Sequence, residues 1–123
     1  GLAKKKTDDG VEAKRLVDAG ANLNTLDKNS STVLMIAAER GRVSIVGMLI
    51  EAKAELNLQN CGGSTALMKA ARYGHESIVV KLIETKAELN LQDNFGSTAL
   101  MNAAYNRHHS VVDKLIEAPL LTS

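Results

Sequence analysis

The chain has 123 residues, which is the usual size of one domain. Lys and Arg number 15 against 14 Asp and Glu, and this net charge of +1 argues against a nucleic-acid binder that relies on bulk charge. The 45% hydrophobic and 24% charged residues exclude a disordered chain, and the longest apolar run, residues 33–38, is far shorter than the ~20 residues that span a bilayer.

Cys61 is the single cysteine, so no disulfide can form within the chain. No segment has the pattern of a signal peptide. Because disulfides are typical of oxidising compartments, both observations favour an intracellular protein, either cytoplasmic or nuclear.

Aromatic residues are rare, with two Tyr, one Phe and no Trp. A core of this size normally uses several aromatic rings to fill wide gaps. The core must therefore be built from Ala, Leu, Ile, Val and Met, which suits thin elements that pack closely and repetitively.

The sequence repeats with a period of 33 residues, and a shift of 32 or 34 removes the alignment. Repeats of this length are typical of solenoids, in which no unit folds alone and stacking supplies the core. The aligned positions are Thr32, Thr65 and Thr98; Leu34, Leu67 and Leu100; the alanine pairs 37–38, 70–71 and 103–104; and Val46, Val79 and Val112.

Each full unit contains two predicted helices and a loop. Thr32 is a capping residue type, which accepts from a free backbone N–H of the first turn, and the apolar run after it predicts a helix to residue 40. Gly41 suits the left-handed conformation that ends a helix. Val43, Val46 and Leu49 have helical spacing and predict a second helix over 43–51. The polar stretch 53–64 predicts a protruding loop.

This pattern resembles the ankyrin repeat. Residues 63–71, Gly-Ser-Thr-Ala-Leu-Met-Lys-Ala-Ala, followed by Gly74 and His75, are similar to the family's G-x-T-P-L-H-x-A-A-x-x-G-H. The resemblance covers about residues 10–118 and implies an all-α solenoid of helix-turn-helix units with protruding β-turn-like loops. It divides a single domain, 1–123, into a truncated N-terminal repeat at 1–26, repeats at 27–59 and 60–92, and a C-terminal repeat at 93–123.

Several positions depart from the family pattern. A column of methionines replaces the family's His, and we expect this column to fill the core rather than to bind a metal or cofactor. Lys53 and Lys86 replace a glycine, and Arg107 replaces the glycine that ends the first helix of the other two units. We expect a cost of roughly 1 kcal/mol wherever such a position is left-handed. The methionines are Met35, Met68 and Met101.

The two ends of the array depart from the internal units: we expect the first repeat to lack a proper first helix, and the C-terminal end has no obvious polar capping face. Three lysines at residues 4–6 stand where internal units have an apolar helix, and Val112 and Ile116 keep the internal pattern up to Pro119, which we expect to stop the last helix. Solenoids need polar end caps. Three explanations stay open: the chain is a fragment of a longer array, residues 120–121 fold back as a cap, or copies stack end to end.

No residue pattern predicts catalysis. Cys61 lies beside glycines without a neighbour that would activate its thiol. His108 and His109 lack the further ligands of a metal site, and His75 and His108 occupy the family's own His position, where a structural role is expected. We therefore expect no enzymatic activity, no metal and no cofactor.

The resemblance implies recognition through the loop tips and the concave face of the first helices. Carried over position by position, these sites hold every aromatic residue of the chain, and Tyr and Arg are enriched at interface hot spots. The candidate partner-binding residues are Lys28, Asn29, Arg40, Arg72, Tyr73, Asn94, Phe95, Tyr105 and Asn106.

The expected function is binding of a protein partner. Basic residues recur between the two helices of each unit and glutamates recur after the second, so we expect a partner with an acidic patch. Because the glutamates lie opposite the basic residues and the aromatic residues are few, we expect no binding of nucleic acid. No membrane contact is expected. The alternative is a self-associating assembly module or an engineered scaffold that stacks through exposed terminal faces. We expect the chain to be a monomer or a weak end-to-end oligomer.

Overall fold

The computed structural model describes residues 23–122, with side chains described to residue 118. This part of the chain is helical, without strands, as the sequence predicts. Short turns join its helices into three pairs, and the pairs stack side by side. The helices are α1 (Val33–Arg40), α2 (Val43–Glu51), α3 (Ala66–Arg72), α4 (Glu76–Glu84), α5 (Ala99–Tyr105) and α6 (His109–Thr122).

Threonine caps start the first helix of each pair, as predicted. The hydroxyl of Thr32 accepts from the backbone N–H of Met35 at 3.2 Å, and that of Thr65 accepts from Met68 at 3.1 Å. Thr98 repeats the bond with Met101 at 3.3 Å. Each bond satisfies an N–H of the first turn that has no partner within the helix, which fixes where the helix begins.

Left-handed residues follow the helices at the predicted positions. Gly41 and Gly74, with φ of 72° and 74°, end α1 and α3. Lys53, Lys86 and Arg107 take the same region with φ of 67°, 71° and 61°. These three residues carry a Cβ in a backbone conformation that only glycine adopts without strain. The packing of the stacked core must therefore offset their conformational strain.

The core lies between neighbouring helix pairs. Leu34 and Leu67 are 1% and 2% exposed, because α1 packs on α3 and α3 packs on α5. The same residue type at Leu100 is 38% exposed, because no described element covers the outer face of α5. Burial is thus a property of position in the stack, not of residue type alone.

The methionine column is only partly core. Met35 and Met68 are both 2% exposed and fill the interface between pairs, as expected. The expectation is wrong for Met101, which is 41% exposed, since it lies on the same uncovered face as Leu100.

The expected end of the last helix at Pro119 is also wrong, because α6 continues to Thr122. Proline lacks one N–H and so removes one helical hydrogen bond, but its fixed φ is compatible with helical backbone. The expectations about residues 1–22 lie outside the described residues, as do the side chains at 120–121.

Candidate functional site: the concave groove

A groove of about 760 Å³ lies between the protruding loops and the first helices of the three pairs. Its loop wall comes from the turns that precede α1, α3 and α5, and its helix wall comes from those helices themselves. The lining residues are Asp27, Asn29, Ser31, Ile36, Glu39, Arg40, Asn60, Cys61, Gly62, Ser64, Lys69, Arg72, Asp93, Phe95, Ser97, Asn102 and Tyr105.

Each loop is closed by the side chain that begins it. The carboxylate oxygen Oδ1 of Asp27 accepts from the backbone N–H of Asn29 at 2.8 Å and of Ser31 at 2.9 Å. Asn60 and Asp93 make the same pair of bonds one and two periods later. Asp and Asn favour this turn because their short side chains reach backbone N–H groups two to four residues ahead.

Backbone hydrogen bonds tie each loop to the next. The N–H of Cys61 donates to the carbonyl of Asn29 at 3.0 Å, and the N–H of Asn94 donates to that of Gly62 at 3.0 Å. The side-chain amide of Asn94 also donates to the carbonyl of Cys61 at 2.8 Å. The loops therefore form one connected wall, which fixes the backbone that carries exposed side chains such as Phe95.

Histidines connect the helix pairs at the turn between their two helices. The Nε2–H of His75 donates to the carbonyl of Glu39, and that of His108 donates to the carbonyl of Arg72, both at 2.9 Å. A carbonyl only accepts, so Nε2 is the donor in each of these bonds. The structural role expected for His75 and His108 follows from these bonds.

The helix wall carries a mixture of cationic, acidic and aromatic side chains. Lys69 Nζ lies 3.1 Å from Glu39 Oε1, so these two charges form an ion pair between α1 and α3. The guanidinium carbon of Arg72 lies 5.5 Å from the ring centroid of Tyr73, within cation–π range. Arg40 and Arg72 have no carboxylate within ion-pair distance among the residues whose side chains are described.

Carboxylates lie on the opposite wall, and one oxygen of each accepts hydrogen bonds from its own loop. Asp27 and Asp93 each turn Oδ1 towards backbone N–H groups of their own loop. The N–H groups of Ser31 and then Asn29 lower the pKa of Asp27 by stabilising its charged form. Among the described side chains, the groove therefore has a helix wall with two arginines that form no ion pair and a loop wall with tethered carboxylates.

The structure brings together five of the nine candidate binding residues. Asn29, Arg40, Arg72, Phe95 and Tyr105 line the groove. Phe95 and Tyr105 are 92% and 72% exposed, the two highest values among the exposed large hydrophobic residues.

The other four candidates lie outside the groove lining. Tyr73 is 45% exposed and contacts Arg72 and His75 rather than the groove. The loop residues Lys28 and Asn94 and the turn residue Asn106 are exposed but do not line it.

One row of groove residues was missed by the sequence reasoning. Ile36, Lys69 and Asn102 line the groove and are related by the 33-residue period. Each lies three positions before another groove residue, namely Glu39, Arg72 or Tyr105, and the last two of these were expected there. Residues three apart share a helix face, so this spacing was the available signal.

The chain's three histidines and its one cysteine all lie within residues 23–118. No group of three or more His, Cys, Asp or Glu side chains in that range could hold a metal ion. Cys61 is exposed at a loop tip. Within the part of the chain that the structure describes, no helix has both the length and the apolar character needed to cross a membrane.

Comparison with known families agrees with this architecture. A family model described as ankyrin repeats, in three copies, matches residues 3–93. Such repeats generally mediate protein–protein interaction and are not enzymes as a family. A search of the curated proteins found no match. Since the matched span covers most of the 123 residues and the stacked helix pairs continue beyond it, the chain belongs to the ankyrin repeat family.

Proposed function

We propose that this chain binds a protein partner through the concave groove and has no catalytic activity. The observation that supports this most is the exposure of Phe95 and Tyr105, on the loop wall and the helix wall of one groove. Large exposed apolar side chains on a concave surface are typical of interaction sites. Hydrogen bonds between the loops fix the backbone at Phe95, and helix α5 fixes the backbone at Tyr105, so little backbone entropy is lost on binding.

The proposal includes a partner with an acidic patch. Arg40 and Arg72 face the groove without a carboxylate partner in the described part of the chain. Arginines of this kind bind carboxylates through two parallel N–H donors. We further propose that the protein works inside the cell, in the cytoplasm or nucleus. The repeat boundaries that we propose are 1–26, 27–59, 60–92 and 93–123.

Affinity capture from cell extract with matched variants tests the proposal. We expect the wild-type chain and Lys114→Glu, on the second-helix surface, to retain the same proteins. The double variant Phe95→Ala with Tyr105→Ala should lose a specific subset. Arg72→Glu should lose part of that subset and reduce its salt dependence, because electrostatic attraction is screened. Equal capture by all variants would overturn the groove as the binding site.

Self-association is a second candidate, and the outer face of α5 and α6 favours it. Leu100, Met101 and Ile116 are 38%, 41% and 58% exposed, whereas Leu67, Met68 and Ile83 at the equivalent positions are 2%, 2% and 6% exposed. The face thus has the composition of an internal interface without a described partner.

Light scattering over a wide concentration range tests this candidate. A mass that rises with concentration supports self-association if Met101→Lys with Ile116→Lys restores the monomer. The control is Ser110→Lys, an exposed position on α6. A constant monomer mass for the wild-type chain would eliminate the candidate.

A further inference from the structure

We propose that the groove takes an extended peptide segment in which a carboxylate and a large apolar residue stand two or three positions apart. This inference rests on the proposed function and specifies its ligand. The carboxylate binds Arg72, and the apolar side chain lies between Phe95 and Tyr105.

The carboxylate site is Arg72 rather than Lys69. Lys69 is already paired with Glu39 at 3.1 Å, so a ligand carboxylate would have to displace that bond. Arg72 has no such partner among the described side chains, and its guanidinium lies over Tyr73 at 5.5 Å. A cation–π contact does not use an N–H donor in a hydrogen bond to a carbonyl or carboxylate, so the guanidinium can still form two parallel bonds to a ligand carboxylate.

The apolar site is one helix further along the groove. Tyr105 occupies on α5 the position that Arg72 occupies on α3, one period of 33 residues later. Phe95, at 92% exposure, faces the same end of the groove from the loop wall. A large apolar side chain there would cover both rings and remove apolar area from water.

The distance between packed helices sets the spacing in the ligand. Neighbouring helix axes lie about 8–10 Å apart, and an extended chain rises about 3.3 Å per residue. The step from Arg72 to the aromatic end therefore takes two or three residues. Side chains alternate along an extended strand, and the ligand's carboxylate faces Arg72 on the helix wall. A ligand residue two positions from the carboxylate therefore faces the helix wall and Tyr105, and one three positions from it faces the loop wall and Phe95.

The other charges of the groove exclude a uniformly acidic ligand. Asp27 and Asp93 lie on the loop wall, and one oxygen of each, Oδ1, accepts hydrogen bonds from its own loop. They repel any carboxylate that faces that wall. A ligand with one carboxylate towards the helix wall fits this arrangement, whereas a polyanionic backbone would meet repulsion along the groove.

Selection from a phage-displayed library of random 12-residue peptides tests the inference. Peptides enriched on the wild-type chain should carry Asp or Glu two or three positions from Phe, Tyr, Trp, Leu or Ile, several-fold above the unselected library. Selection on Arg72→Glu should lose the carboxylate and keep the apolar residue. Selection on Phe95→Ala with Tyr105→Ala should keep the carboxylate and lose the apolar residue. Selection on Lys114→Glu should give the same peptides as the wild type.

One selected peptide, labelled for fluorescence polarisation, gives the size of the effect. We expect Arg72→Glu to weaken its binding about tenfold or more, the usual worth of a hydrogen-bonded charge. No enrichment, or enrichment without the spacing, or a carboxylate preference that survives Arg72→Glu, would overturn the inference. These results leave the proposed function intact if affinity capture still depends on the groove, so the two failures are distinguishable.

Discussion

Replacing Gly74 with alanine should destabilise the fold more than replacing Gly96, although both glycines have left-handed backbone. Their φ angles are 74° and 81°. A Cβ at Gly74 would lie 2.6 Å from Nδ1 and 2.8 Å from Cε1 of His108, whereas a Cβ at Gly96 would meet nothing within 4 Å. The two substitutions thus separate the conformational cost from the contact with the histidine.

The magnitudes follow from these two terms. An alanine in left-handed backbone costs about 1 kcal/mol at either site. At Gly74 the ring of His108 must also turn away, which breaks its 2.9 Å bond to the carbonyl of Arg72. That loss adds about 1 kcal/mol, with a further loss from ring packing. We expect about 1 kcal/mol for Gly96→Ala and about 2 to 3 kcal/mol for Gly74→Ala.

Urea unfolding followed by far-ultraviolet circular dichroism measures both free energies. A double-mutant cycle with His108→Ala then tests the cause. If the ring is the obstacle, Gly74→Ala should cost about 1 to 2 kcal/mol less in the His108→Ala background than in the wild type. Equal losses for the two glycines, or strictly additive losses in the cycle, would refute the reasoning.

Three further predictions concern the caps, the core and the loops. Thr65→Ala should cost about 1 kcal/mol in urea unfolding, because it removes the bond to the first turn of α3; a loss below a few tenths would contradict the cap. Met68→Ala should cost about 2 to 5 kcal/mol and Met101→Ala less than about 1 kcal/mol, because only the first is buried; similar losses would contradict the exposed outer face. The lowered pKa of Asp27 means that the charged form stabilises the folded state above the ordinary aspartate pKa of about 4, and that this stability is lost as the pH falls through the lower folded value. Asp27→Asn keeps an oxygen acceptor without a charge, so thermal melts should show a smaller decrease in Tm on acidification than the wild type; parallel decreases would remove Asp27 as a cause.

Local chemistry made much of the fold predictable. Thr32 and Gly41 mark the start and end of α1 through interactions within a few residues, which composition and spacing reveal. The 33-residue period then extends this to the other pairs. Burial was less predictable, because Met101 matches Met68 in type and position, but no described helix pair packs on its outer face. Pro119 shows the same limit, since a proline removes one hydrogen bond without dictating what the backbone does next.

The groove was only half predictable, because it depends on two walls that meet in space. Position by position, the alignment indicated the loop tips and the ends of the first helices, and so found Phe95 and Tyr105. It could not separate Arg72 from Tyr73, which are adjacent in sequence but differ in whether they face the loops. The ion pair of Lys69 with Glu39 joins two helices through residues that are 30 positions apart in sequence, and no local pattern predicts it.

The contact between a glycine of one helix pair and a histidine of the next gives the array a direction. Gly41 lies under the ring of His75, and Gly74 under that of His108. Arg107 occupies the third such position with φ of 61° and a Cβ of its own. A tandem copy of residues 60–92 would reproduce the contact, whereas moving residues 93–123 inward would press the Cβ of Arg107 against a histidine ring. Repeats that match in sequence can therefore not be exchanged freely along the array. The residue at this one position, glycine or arginine, determines whether a further helix pair with its histidine can pack there.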